Sequence, residues 1–357
     1  MIRVLSIGMR YDYGDPRRGD CYEYLNLTGT MTRMTGLATE FFPFDVIMRE
    51  KGFREMNRLL LAKVSEFRPD VCFFAIFTDE ISVATIRTIT EKSGARTINW
   101  FADDHWRIRS YSRFWAPLFH YAATTDSAAL EIYRGLGIRN VVKTQWGFNH
   151  FRYRPVGGPE TADVTFVGQV HSSRRRVVER LRRSGVDVRC FGRGWESGRV
   201  GFEEMLAIFS RSAISLNFVE GSAVPGLRQL AKVALNRRAD GSFRLRPPSG
   251  MVRTAATLFS PGRPQIKGRT FEVPGAGGFL LSGRADNIEE YFVPGEEIAL
   301  FENGSDLLEK IRHYLAHPDE RERVRQAGTA RALRDHTYER RVRDLFTQMG
   351  MHETTWQ

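Results

Sequence analysis

Two short segments concentrate side chains that could do chemistry. In the first, Asp103, Asp104 and His105 stand in a row just after an apolar run. A carboxylate can take the proton of an acceptor hydroxyl, and an imidazole offers the same chemistry near neutral pH. Read as the end of a strand, the pair points one carboxylate toward a ligand and the other away. Three contiguous residues on an extended chain converge poorly on one ion, so a metal cluster ranks behind the acid–base reading. Aspartate capping the following helix is the structural alternative.

The second segment holds Lys267, Arg269 and Glu272. Arginine grips phosphate bidentately and lysine acts as a point charge. A carboxylate can accept from two ribose hydroxyls, as acidic residues do in other nucleotide sites. A helix opening over Phe271–Gly275 would aim backbone N–H groups at a diphosphate. A surface salt bridge between Glu272 and a neighbour is the plain alternative.

Three glycine-bearing turns accompany these segments. Gly168 and Gln169 close a strand-like run, and a glycine there lets a ligand approach the backbone. An ordinary strand-to-helix turn reads equally well. Phe191-Gly192-Arg193-Gly194-Trp195 closes the next run and could wall a nucleobase, with Trp195 as core the alternative. The stretch from Gly8 to Gly14 is not a G-x-G-x-x-G fingerprint, so a dinucleotide site is poorly supported. An acceptor-facing or phosphate-facing loop remains open for it.

Positioning these residues requires strands and helices in alternation. Strand-like runs are Val4–Ile7, Val71–Phe77, Thr97–Phe101, Ala122–Thr125 and Val141–Gln145, with helical stretches Phe53–Phe67 and Ser82–Lys92 between them. Asp20 with Glu23 fits a variant capping box. A Pro/Gly-rich break, Tyr153 to Pro159, reads as a linker. The alternation then restarts with Val164–Val167, Arg174–Arg183, Val186–Phe191, Phe202–Phe209 and Ile214–Phe218, and continues with Phe279–Leu281 and Glu297–Phe301. From Ser305 the chain is helical, broken around His317-Pro318. Short Val/Ile/Phe runs alternating with helices mean parallel sheets, here two Rossmann-like domains facing a cleft.

Composition narrows the function classes. The chain of 357 residues is 42% hydrophobic and 27% charged, ordinary for a globular protein. Cys21, Cys72 and Cys190 form no CxxC pair, which disfavours a disulfide framework or a cysteine zinc site. No apolar run has membrane-spanning length, and the N-terminus reads as a strand rather than a signal peptide. The net charge is +11, and ten basic against two acidic residues between Glu220 and Arg269 supply +8 of it. That basic segment suits an anionic ligand, nucleic acid or an anionic membrane surface. Its aromatics, Phe243 and Phe259, are too few for a single-strand stacking platform.

The stretch from Lys267 to Leu281, Pro294-Gly295-Glu296-Glu297-Ile298, His336-Thr337-Tyr338-Glu339-Arg340, Trp100-Phe101-Ala102-Asp103-Asp104 and Thr124-Thr125-Asp126 with Tyr133 and Gly137 resemble CgeB-like (spore maturation protein) glycosyltransferases. The likeness covers nearly the whole chain except the basic insertion, and the joint order of the pieces carries it. It implies a GT-B fold, a last helix that returns to the first domain, and metal-independent transfer from a nucleotide-sugar. In the related glycogen-synthase-like clan two glutamates lie eight positions apart, the second on the donor ribose. Glu272 matches the second, whereas Pro264 stands at the first, which leaves sugar recognition and stereochemical outcome open.

The resulting expectations are concrete. The first domain, acceptor side, spans 1–155. The second, donor side, spans 160–335 with a basic insertion at about 220–265. Residues 336–357 form the returning helix, with His336 and Tyr338 in interdomain packing. The donor set is Gly168, Gln169, Arg193, Lys267, Arg269, Glu272, Gly277 and Gly278. The catalytic candidates are Asp103, Asp104 and His105, with no metal and no cofactor beyond the nucleotide diphosphate-sugar co-substrate. The enzyme would be a cytoplasmic, hexosyltransferase-like glycosyltransferase acting on a glycan, protein or small-molecule acceptor. Membrane-surface contact through the insertion stays open and nucleic acid is disfavoured. A nucleotide-sugar epimerase and a non-catalytic anionic-ligand module are the rival readings.

Overall fold

The computed structural model describes residues 1–219, 233–237, 242–246, 248, 250–252, 255 and 263–351. Much of the basic insertion, Arg238 included, lies outside the described residues. The chain divides into two compact units. The first comprises Met1–Gln145, the described residues between 225 and 261, and the chain from Tyr338. The second comprises Trp146 to Val219 and Arg263 to Thr337.

The first unit is built on six parallel strands: β1 (Ile2–Gly8), β2 (Leu37–Pro43), β3 (Val71–Phe74), β4 (Arg96–Phe101), β5 (Tyr121–Thr124) and β6 (Val141–Lys143). Their order is β2-β1-β3-β4-β5-β6. Strand β3 is apolar and buried throughout, and β4 is buried from Thr97 to Phe101, as a parallel sheet covered by helices requires. β2 lacks such a run because it is a half-exposed edge strand, so its sequence carries no strong strand signal. Helix α1 (Phe44–Phe67) starts upstream of its apolar stretch and kinks at Gly52, where φ is +81°. Helix α2 (Val83–Lys92) is capped by Ser82 Oγ, which accepts from the Thr85 N–H at 3.0 Å. Helix α3 (Ser127–Gly135) is capped in the same way by Asp126.

The capping box expected at Asp20 and Glu23 is absent. Asp20 pairs instead with the Arg10 guanidinium at 3.1 Å, and Glu23 accepts from the Cys21 thiol at 2.8 Å. An ion pair to the preceding loop takes the carboxylate the cap would need.

The second unit carries β7 (Ala162–Val167), α4 (Ser172–Arg183), β8 (Val188–Phe191), α5 (Phe202–Ser210) and β9 (Ser212–Asn217). Within the insertion, β10 (Leu235–Arg237) pairs antiparallel with β11 (Phe243–Leu245). The second unit resumes with α6 (Arg269–Gly275), β12 (Leu280–Gly283), β13 (Ala299–Phe301), α7 (Gly304–Ala316) and α8 (Pro318–Asp335). Its parallel sheet runs β13-β12-β9-β7-β8. Tyr153 and the Pro/Gly stretch after it are part of this unit. The last helix, α9 (Tyr338–Gln348), buries Tyr338, Val342, Leu345 and Phe346 in the first unit, where Tyr338 packs edge-on against Trp100 and Tyr22. Cys72 and Cys190 are buried strand residues, and burial pushes both thiols up to about 12. Among the described residues no helix is long and apolar enough to cross a membrane.

Candidate functional site

In the second unit the site is built at the carboxyl edge of the parallel sheet, where open α/β sheets bind ligands. α6 lies across that edge. Asn217, the last residue of β9, donates through Nδ2 to Thr270 Oγ1 at 3.2 Å and to Ser282 Oγ on β12 at 3.0 Å. Arg269 donates through Nε to the carbonyl of Val167, the last residue of β7, at 3.4 Å. Three strand ends and one helix are thereby tied to one place.

Glu272 is the centre of this place. It is 0% exposed. One carboxylate oxygen accepts from the Tyr153 hydroxyl at 2.7 Å, and the other from the Arg269 guanidinium. A salt bridge to Arg269 therefore exists, but it is buried on the glutamate side rather than a surface pair. A buried carboxylate needs such donors, because an unpaired charge out of water is costly. Arg269 retains 30% side-chain exposure, and its guanidinium also lies over the Phe209 ring. Lys267 is half-buried and donates through Nζ to Gln265 Oε1 at 2.9 Å.

The N–H groups expected to face a diphosphate are largely used by the helix itself. Thr270 N–H donates to Lys267 O at 3.0 Å, and the N–H groups of Phe271 and Glu272 both donate to Gly268 O at 2.9 Å. The helical turn begins earlier than Phe271, so these donors lie inside it.

Gly168 and Gln169 leave β7 next to the loop that leaves β8. Gly168 N–H donates to Phe191 O at 2.8 Å, Val170 N–H to Arg193 O at 3.0 Å, and Trp195 Nε1 to Gly168 O at 3.0 Å. Trp195 is buried core, edge-on to Phe166. Gly192 has φ +130°, and a Cβ there would strike the Gly168 carbonyl. The side chains of Gln169 and Arg193 are exposed. Gly277, at φ +76°, and Gly278 stop α6: their N–H groups donate to Pro274 O and Val273 O, each at 2.9 Å. A Cβ on Gly278 would stand 2.5 Å from Phe209 O.

In the first unit, Asp103 and Asp104 lie beyond β4 rather than on it. Asp103 takes the cap position of a short helix, Asp104–Arg107, without a side-chain cap bond, and Asp104 is its first residue. The strand alternation argued for the pair thus does not apply. Asp104 is fully buried and accepts from the Tyr133 hydroxyl at 3.1 Å. Burial raises its carboxyl to about 7, against the Ser112, Thr124 and Tyr133 hydroxyls, which lower it. Asp103 and His105 stay partly exposed.

Asp103 has company that sequence reasoning missed. The loop after β1 is held by buried Asp45, which accepts from the N–H groups of Arg10 at 2.7 Å and Tyr11 at 3.0 Å. That loop brings Asp12 and Tyr13, at φ +52°, into the electrostatic field of Asp103 and Glu23. Desolvation raises the Glu23 carboxyl and Asp103 and Asp12 raise it further, against bonds from the Cys21 thiol and from backbone that lower it. The Gly8-to-Gly14 stretch had marked the loop but not the carboxylates it would meet. His336, by contrast, is buried within the second unit, its Nε2 2.6 Å from Tyr291 O.

Residues 173–347, just under half of the chain, match the family described as "Glycosyl transferase-like". No curated protein matches the sequence. Among solved structures, Anabaena Alr3699/HepE in complex with UDP and glucose is similar at TM-score 0.59 and 9% identity, covering 99% of this chain and 100% of that one. A glycosyltransferase from Rickettsia africae is similar at TM-score 0.59 and 10% identity, covering 99% and 98%. Sucrose-phosphate synthase from Thermosynechococcus elongatus is similar at 0.57 and 10%, covering 98% of each chain. The two Rossmann-like α/β units have the fold of GT-B glycosyltransferase structures.

Proposed function

We propose that this glycosyltransferase-type enzyme moves a sugar from a uridine diphosphate-sugar to an acceptor hydroxyl, its second unit holding the donor. One observation carries the reading: Glu272 is held between Tyr153 and Arg269 at the carboxyl edge of the second sheet, inside the segment that matches the glycosyl transferase-like family. The Alr3699/HepE complexes with UDP support the choice of base.

The chemistry divides among the residues as follows. Arg269 swings from Glu272 to the diphosphate, which its partial exposure permits, and Lys267 adds a second cation. Both stabilise the leaving diphosphate as charge develops on it. The freed oxygen of Glu272 accepts from the ribose, while Tyr153 keeps the carboxylate oriented. The exposed turns at Gly168–Gln169 and Arg193 border the donor, and Gly277 and Gly278 set the end of α6 behind it. In the first unit, the acceptor side, Asp103 takes the acceptor proton, with His105 beside it and Asp104 holding Tyr133. Transfer needs no divalent metal, the nucleotide-sugar is a co-substrate, and the reaction is cytoplasmic.

A thermal-shift and calorimetric panel of UDP, CDP, ADP and GDP tests the reading. UDP should raise the midpoint most, because a ligand that binds only the folded state stabilises it. Absence of a shift with every nucleoside diphosphate would overturn it.

A further inference from the structure

Away from the donor residues, among the described residues, one group of metal-ligating side chains comes together: His313, His317 and Glu320, with one ligand atom from each within 4.8 Å of the others. They sit where α7 ends and α8 begins. His313 lies in the last turn of α7, His317 is the residue between the helices, and Glu320 is in the first turn of α8.

Two observations beyond proximity describe how the group is arranged. His317 Nδ1 lies 2.7 Å from the His313 backbone carbonyl. A carbonyl only accepts, so the proton is on Nδ1 and the lone pair is on Nε2. Metal-binding histidines are oriented in this way, with the second ring nitrogen donating to a carbonyl or carboxylate. The His313 and His317 rings are stacked, with centroids 4.3 Å apart and planes 25° apart. His313 Nε2 is 2.8 Å from Glu320 Oε2. Two ligands of a tetrahedral ion with bonds of ~2.0 Å stand roughly 3.3 Å apart, so a small opening of that contact admits a cation.

We propose that His313, His317 and Glu320 form a surface site for a borderline divalent transition metal, zinc above all, that clips α7 to α8. Two imidazoles and one carboxylate suit zinc, whereas magnesium prefers an all-oxygen shell. Water fills the fourth position because the histidines are exposed. The site is structural: it fixes the helix corner at Pro318 and takes no part in the transfer reaction.

The test titrates zinc chloride into the full chain, free of any histidine tag, by calorimetry, with magnesium chloride as control. Wild type should take up one equivalent of zinc and none of magnesium at the same concentration. His317→Gln and Glu320→Gln should each weaken zinc at least tenfold, and His120→Gln should leave it unchanged. All three positions are at the surface or half-buried, and circular dichroism confirms folding before titration. Zinc binding that survives in the His313→Gln, His317→Gln double variant, or none in wild type, overturns the proposal.

Discussion

Glu272 is better understood as a buried anchor than as a carboxylate open to solvent. Its full burial and its two donors mean that Glu272→Gln removes a charge the fold has already paired. We expect two losses. UDP affinity should drop roughly tenfold or more, since about 1.4 kcal/mol corresponds to a factor of ten. Folding stability should fall by about 1–3 kcal/mol, because Arg269 loses its partner on the buried side. Calorimetry reads the first and urea denaturation the second. Unchanged UDP affinity would detach Glu272 from the donor. Asp104 supplies a pH-dependent counterpart. Its carboxyl is raised from 3.8 to about 7 in the folded state. The folded chain therefore keeps a proton that the unfolded chain releases, and the stability linked to it is complete below about pH 4. That stability is lost as pH rises to about 7, at up to about 1.4 kcal/mol per pH unit. Asp104→Asn should flatten this part of the pH–stability profile. A variant profile that tracks wild type between pH 4 and 7 would show that Asp104 does not titrate there.

The loops after β7 and β8 work as one element. Their backbones exchange hydrogen bonds at Gly168 and Val170, and Gly192 is the point of closest approach. Two constraints meet at Gly192: a positive φ and a carbonyl where a Cβ would be. Gly192→Ala should cost about 2 kcal/mol or more and loosen the Gly168 turn. Gly135 closes α3 with open space around it and no positive φ. Gly135→Ala should be neutral or stabilise by about 0.5–1 kcal/mol, by restricting the unfolded chain. Thermal melts of the two variants should move in opposite directions. Equal destabilisation would mean that neither space nor φ distinguishes the sites.

The last helix makes the first unit discontinuous in sequence. Tyr338, Val342, Leu345 and Phe346 are 0% exposed, and Met349 O accepts from Arg96 and from the Tyr121 hydroxyl. A chain ending at Thr337 should therefore lose cooperative unfolding of the first unit, because several large apolar side chains leave its core. Near-UV circular dichroism should weaken while Trp195 in the second unit stays ordered. A fully cooperative truncated chain would refute this. Chelation gives a second expectation. On the proposed mechanism, in which Arg269 and Lys267 meet the charge on the leaving diphosphate, EDTA should leave sugar transfer unchanged. Loss of transfer that manganese restores would contradict metal independence.

The architecture was legible because parallel sheets demand a periodic sequence. Runs such as Val71–Phe74 and Val164–Val167 must be buried on both faces, and the helices between them must be long enough to cross back. That pattern survives in a linear string and implies two α/β units wherever it occurs twice. Edge strand β2 escaped because half of it faces away from the core. The Lys267–Glu272 segment was legible too, since cations and a carboxylate in one turn are a local feature. What folding alone settled is which neighbours these groups acquire. Tyr153 reaches Glu272 across 119 residues, and Asp104 meets Tyr133 across 29. Burial makes the first carboxylate an anchor and raises the second toward neutrality, and neither environment is written beside the residue in the chain. The carboxylates around Asp103 and the His313–His317–Glu320 corner arise likewise, because charge and ligation act through space at a few ångströms.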